Sequence, residues 1–178
     1  MIQIRAAVEA DVSRILEISN WAAVHTPANF ANSPELLSDW LTSYRSTHAY
    51  HPWLVATEDE RVIGFAKSSP HKSRCAYAWS ADVSVYIDGA CQARGIGRAL
   101  YDKLIPLLRE QGYQTLIAGI VVDHLPSEKL HAAVGFVRCG IFPRVGFKQG
   151  RWRDVGYWAL QLGAGEDEAP PVRRVPKL

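Results

Sequence analysis

The segment Gln92-Ala93-Arg94-Gly95-Ile96-Gly97-Arg98 constrains this chain more than any other. It stands between an alternating strand pattern, Val83-Ser84-Val85-Tyr86-Ile87, and an amphipathic helical pattern that starts near Arg98. The first turn of a helix has backbone N–H groups without intrahelical partners, and the helix dipole adds partial positive charge there. A glycine-rich turn at that position is therefore a phosphate-binding device. No Gly-Lys-Ser/Thr follows, so the segment is not a P-loop, and it lacks the third glycine of a dinucleotide-binding turn. A strand, this turn and a helix in succession call for a sheet with a helix packed on it.

The remaining elements extend that layer. The patterns predict a strand at 2–6, a helix at 9–23 built on Val12, Ile15 and Leu16, and a loop from Thr26 to Pro34. Ser33 and Pro34 are a plausible cap and first position of a second helix that carries Leu36, Leu37, Trp40 and Leu41 on one face. A hairpin (53–57 and 61–68, turning at Glu58-Asp59-Glu60) and a strand over 76–87 precede the glycine turn. After it come a helix ending at Gly112 with Pro106 inside it, a buried strand (116–122), a short helix (127–134), and two strands (137–147 and 151–162). The order β-α-α-β-β-β-α-β-α-β-β points to an α/β or α+β layered sheet in one domain of residues 1–162. Residues 163–178 combine an acidic run with prolines and basic residues, and are predicted to be a disordered tail.

Composition narrows the partners. With 178 residues the chain can bury a sizeable core. A net charge of +2 gives no case for nucleic acid or a membrane surface as partner. Cys75, Cys91 and Cys139 are an odd set without metal spacing, so free thiols, a cytoplasmic location and no metal are expected.

Several longer segments are more specific. Thr26–Phe30, Tyr50–Ala56, Arg74-Cys75-Ala76-Tyr77-Ala78-Trp79-Ser80, Lys129–Phe136, Gly146–Lys148 and Trp152–Trp158, with the strand and glycine turn, resemble the GNAT N-acetyltransferases. Within them they resemble the phosphinothricin (and methionine sulfoximine) acetyltransferase group. The resemblance covers about residues 2–162 and implies the GNAT acyl-CoA N-acyltransferase fold, a mixed, mostly antiparallel sheet flanked by helices. It implies acetyl-CoA as co-substrate, a small amino-acid-like amine as acceptor, direct attack of that amine in a ternary complex, and a homodimer. Pantetheine would run along Val85, Tyr86 and Ile87, and the pyrophosphate would meet Gln92, Ala93, Arg94, Gly95, Ile96, Gly97 and Arg98. Gly95 and Gly97 would let the backbone come close to it. His124 would stand where the family often has a CoA-contacting asparagine, with Ser127 beside it.

An ammonium group must lose a proton before it can attack a thioester. The resembled group uses a carboxylate, usually glutamate, four residues before the strand tyrosine; counting back from Tyr86 gives Asp82, one methylene shorter. Alternation puts Ser80, Asp82, Ser84 and Tyr86 on one face. The alternative is a merely solvated aspartate. His131 matches the group's histidine and would be a second base or relay, or else a structural helix residue. Arg74 would grip an acidic group of the substrate, with Tyr77 and Phe30 lining its pocket and Lys148 a weaker candidate. Cys91 lies at the wrong end of CoA for an acyl-cysteine. Transfer to protein N-termini or lysines, and a catalytically weak CoA-binding module, stay open as alternatives.

Overall fold

The computed structural model describes residues 1–163 and 169–176. Its elements are β1 (Gln3–Ala6), α1 (Val12–His25), α2 (Leu37–Thr47), β2 (Trp53–Glu58), β3 (Arg61–Pro70), β4 (Ser80–Ile87), α3 (Ile96–Gln111), β5 (Thr115–Val121), α4 (Leu125–Ala133), β6 (Val137–Lys148) and β7 (Arg151–Gln161). Their order matches the sequence reading, and the strands form one sheet ordered β1-β2-β3-β4-β5-β7-β6. Every neighbouring pair is antiparallel except β4 and β5.

Strand alternation divides the core between the two faces of the sheet. Leu54 and Ala56 of β2 join Leu100, Tyr101, Leu104 and Leu108 of α3 on one face. Trp53 and Val55 meet Val12 and Ile15 of α1 and Trp40 and Tyr44 of α2 on the other. A strand buried on both faces loses its polar positions, and β2 reads Trp-Leu-Val-Ala accordingly.

Helix entries differ from expectation for local reasons. Val8 has no side-chain acceptor for a cap, and Asp11 takes over: its carboxylate accepts the Val8 N–H at 2.8 Å and both Arg5 guanidinium nitrogens at 2.7 and 2.9 Å. A short 3-10 turn over Glu9–Asp11 results, and α1 begins at Val12. α2 begins at Leu37, beyond Ser33 and Pro34, and turns Trp40 and Tyr44 inward while Leu36 and Leu37 stay exposed. Gly112 closes α3 in the left-handed region, φ +97°. α3 runs through Pro106 unbroken.

The C-terminal segment corrects the sequence reading. Residues 169–176 lie against the body. The Gln111 amide donates to the Arg173 carbonyl at 2.9 Å, while the Arg173 N–H donates to Gln111's own carbonyl at 2.7 Å. Trp79 Nε1 donates to Pro170 O at 2.5 Å, and Val175 N–H to Ala49 O at 2.9 Å. Val172 packs on the α3-side core. Composition missed this because Gln111, fully buried, offers the partner only once α3 is folded. Residues 164–168 and 177–178, also predicted to be disordered, lie outside the described residues. Each such bond is worth about 1 kcal/mol net. Deleting 169–178 is expected to lower Tm by roughly 4–8 °C, the effect of losing about 2 kcal/mol in a domain of this size, because the entropy of ordering the segment offsets part of its four bonds. An unchanged melting curve in differential scanning calorimetry would mean that the docked segment adds nothing.

Candidate active site

The parallel pair β4–β5 holds only at its start. Ser80, Ala81 and Asp82 pair with Thr115, Leu116 and Ile117, and there the ladder ends although both strands continue, to Ile87 and Val121. β5 stays paired with β7, so β4 and β5 splay apart. Among the described residues the edge of β4 from Val83 onward has no strand on that side.

A cleft of about 460 Å³ opens at this splay. Val85, Tyr86 and Ile87 form one wall, the turn from Gln92 to Arg98 forms the end, and His124, Ser127 and Leu130 form the other wall. Trp21 and Thr26, which the sequence did not single out as cleft residues, cover it from α1 and its C-cap. Burial pushes the Tyr86 hydroxyl up to about 12, so Tyr86 is a neutral wall residue.

The turn is built for an anion in a particular way. Ala93 and Gly95 both take positive φ, +60° and +75°. The first helical bond is Ala99 N–H to Gly95 O at 3.1 Å, which leaves the amides of Ile96, Gly97 and Arg98 without helical acceptors. The charged side chains are paired. Arg94 grips Glu58 through both terminal nitrogens at 3.0 and 2.6 Å. Arg98 bonds Asp102 at 2.7 Å and the Ala133 carbonyl at 3.1 Å. Both arginines also line the cleft, so positive charge at the turn comes from their side chains and from the backbone amides together. Gly97 lines the cleft, and a Cβ there would stand 2.9 Å from Leu130 Cδ2, so packing against α4 also favours glycine. At Gly95 a Cβ would meet nothing within 4 Å, and its need is the left-handed φ.

His124, at the start of α4, has a buried Nδ1 with no partner among the described residues, and burial lowers its proton affinity. A neutral imidazole with an unanswered polar nitrogen on a cleft wall fits a ligand that supplies the missing bond.

Asp82 occupies the last rung before the splay. Burial pushes its carboxyl above the usual aspartate range, against the pull of the His71 hydrogen bond and the charges of His71 and Lys72. His71 Nδ1 lies 2.8 Å from Asp82 Oδ1. Ser80, two residues before Asp82 on β4, lines a second pocket of about 400 Å³ with Arg74, Tyr77, Tyr50, His51 and Tyr113. Burial depresses His51 to about 4. Val172 of the docked C-terminal segment closes part of this wall.

Three of the expected site side chains lie outside both cavities. His131 is 3% exposed and points into the α3-side core. Its Nδ1 lies 2.8 Å from the Ser127 carbonyl, which can only accept, so Nε2 accepts from Tyr101 OH at 2.9 Å. Both nitrogens are used and Phe136 packs edge-on at 5.2 Å, so the geometry makes His131 structural. Phe30 lines neither cavity; its ring lies over Gly146 of β6, where even a Cβ would collide at 2.3 Å. Lys148 is buried, and its ammonium donates to the carbonyls of Ala23 and Ala31, tying β6 to α1 and the loop after it.

The family description "Acetyltransferase (GNAT) domain" matches residues 4–156. The chain belongs to the GNAT acetyltransferases. This acetyltransferase is 33% identical to phosphinothricin N-acetyltransferase of Streptomyces viridochromogenes over 99% of its own length and 96% of the relative's. It is 34% identical to the L-methionine sulfoximine/L-methionine sulfone acetyltransferase of Salmonella typhimurium, over 89% and 94%. A Sinorhizobium meliloti phosphinothricin acetyltransferase solved in complex with acetyl-CoA superposes with a TM-score of 0.89 at 32% identity, covering 95% of this chain and 92% of that one. The expected fold is therefore the observed one. No helix among the described residues is long and apolar enough to cross a membrane. No group of three or more His, Cys, Asp or Glu side chains among them could hold a metal ion.

The structural reading of His131 can be tested directly. Tyr101→Phe removes the donor to Nε2 and is expected to cost about 1–3 kcal/mol, as for any buried acceptor left unsatisfied. Thermal melting should show the loss, and acetyl transfer per folded molecule should stay near wild type. Activity lost without a change in Tm would return His131 to the chemistry.

Proposed function

We propose that this acetyltransferase moves the acetyl group of acetyl-CoA to the primary amine of a small, acidic amino acid or analogue, of the phosphinothricin or methionine sulfoximine type. The amine attacks directly, with both substrates bound. The observation that carries the reading is Asp82 at the last rung of the β4–β5 ladder, on β4 between Ser80, which lines the pocket of Arg74 and Tyr77, and Val85, which lines the splay cleft.

The cleft residues fit acetyl-CoA. Val85 and Ile87 offer an unpaired strand edge to a pantetheine amide chain, the free amides of 96–98 suit a pyrophosphate, and His124 offers its unanswered nitrogen. Bound there, acetyl-CoA supplies the thioester carbonyl. From the other side Arg74 receives the acceptor's carboxylate or phosphinate, and Tyr77 walls its pocket. Asp82 takes the ammonium proton that must leave before the nitrogen lone pair is available. Its raised proton affinity suits it to that task, because a more basic carboxylate removes the proton with a smaller mismatch.

The pH profile follows with its sign. Asp82 must be ionised to accept a proton, so turnover falls as the pH drops through its raised pKa, above the range of a free aspartate. Asp82→Asn is expected to lower kcat by about 10²–10⁴-fold with little change in the acetyl-CoA KM. The deficit should shrink at high pH, where the amine is already free. An amino-acid panel assayed by CoA release, with phosphinothricin and methionine sulfoximine included, tests the substrate class. Preference for polyamines or peptides would overturn it.

We also propose a cytoplasmic homodimer. Cys75 and Cys139 are exposed free thiols, as suits a reducing compartment. The edge strand β6 and its partner β7 expose Ile141, Phe142, Val145, Phe147 and Trp152, an apolar face that a second copy would cover. Light scattering should give twice the chain mass of 19.8 kDa, and Phe142→Asp should return it to one chain. A wild-type monomer at micromolar concentration would exclude this interface.

A further inference from the structure

We propose that His71 is a positioning residue for Asp82: its Nδ1–H holds the carboxylate in the orientation that faces the acceptor amine. The proposal rests on the reading of Asp82 as the base.

The geometry comes from the sheet. Ser69 of β3 pairs with Asp82 of β4, and the β3–β4 ladder ends one rung later at Pro70 and Ala81. Paired residues on neighbouring antiparallel strands share a face, and so does the residue two places along. His71 is therefore the diagonal neighbour of Asp82, just past the last rung. Its ring is held there edge-on against Tyr77, centroids 5.7 Å apart at 76°. An ionised carboxylate has no proton to give, so Nδ1 donates the 2.8 Å bond to Oδ1. Oδ2 is left for the substrate. Tyr77 also lines the pocket with Arg74, so acceptor pocket, imidazole and carboxylate are one contiguous assembly.

An aspartate side chain half open to solvent is otherwise free to rotate, and the Asp82 side chain is 43% exposed against 17% for His71. A fixed donor removes that freedom before the substrate arrives. The bond favours the ionised carboxylate and opposes the effect of burial, which dominates. The groups facing Asp82 are His71 and Lys72 from the loop after β3, with uncharged Ser69 across the ladder and Ile117 on β5. Of these, His71 is the one hydrogen-bonded to the Asp82 side chain among the described residues.

The test compares His71→Leu with His71→Asn, side chains of nearly equal size. Leu keeps apolar contact with Tyr77 and has no donor, whereas Asn carries an N–H at the position of Nδ1. His71→Leu is expected to lower kcat about tenfold, the worth of one charge-assisted hydrogen bond, with the acetyl-CoA KM unchanged. Its acid limb should move to higher pH, because the carboxylate loses the bond that favours its ionised form. His71→Asn should recover most of kcat and bring the limb back. A residue that merely packs would give the reverse order. Wild-type kcat and pH profile in His71→Leu, or no recovery in His71→Asn, overturn the proposal; His71→Phe replaces the Leu variant if circular dichroism shows it unfolded. Asp82→Asn, run in parallel, separates the two readings. Full activity there removes the base and this proposal with it. An inactive Asp82→Asn beside a normal His71→Leu removes only the role of His71.

Discussion

The ending of one hydrogen-bond ladder organises the functional half of this molecule. Among the described residues β4 and β5 are the one parallel pair in the sheet, and their pairing stops at Asp82 and Ile117. β5 is held by β7 on its other side and β4 by β3, so the strands can diverge without either losing its place. Backbone groups that a continued ladder would have consumed face a cleft instead. Because unpaired buried backbone groups are costly, such an opening persists where a ligand or solvent answers them. The glycine turn, α3 and the start of α4 all frame this one interruption.

Charge is used sparingly around the cleft. A basic turn suggests arginines gripping phosphate, yet Arg94 and Arg98 are held by Glu58 and Asp102. Their side chains fix the shape of the turn, and the amides it presents are directional and short-range. Beside these partly exposed guanidiniums, a fixed set of N–H groups selects an anion by shape. His124 follows the same logic, offering a neutral nitrogen rather than a cation.

What could be read from the sequence was local or periodic. The order of the strands and the four α-helices follows from alternation, helical spacing and turn residues, each set by neighbours within a few positions. Most of the cleft residues were legible for the same reason, since strand, turn and helix are contiguous in the chain. What escaped depends on contacts between distant segments. A match in register fits His131 facing the cleft or facing Tyr101, and only the packing of α4 on α3 decides. Phe30 was assigned by its loop, but that loop is pulled onto β6 by Lys148. His71 gains its meaning from the register of β3 on β4, which the sequence does not state.

The docked C-terminal segment sets an order of events. Val172 is part of the wall that Arg74 and Tyr77 share, and the reciprocal bond between Arg173 and Gln111 at the end of α3 holds it there. A chain is synthesised from its N-terminus and begins to fold as it emerges. Every strand of the sheet, and with them the splay and the glycine turn, has been made by Gln161, before Val172 is added. The splay cleft takes no residue from the docked segment, so it can take shape while the pocket of Arg74 and Tyr77 still lacks one wall. In a molecule built this way the two cavities are completed in succession, and the pocket of Arg74 and Tyr77 is the later one.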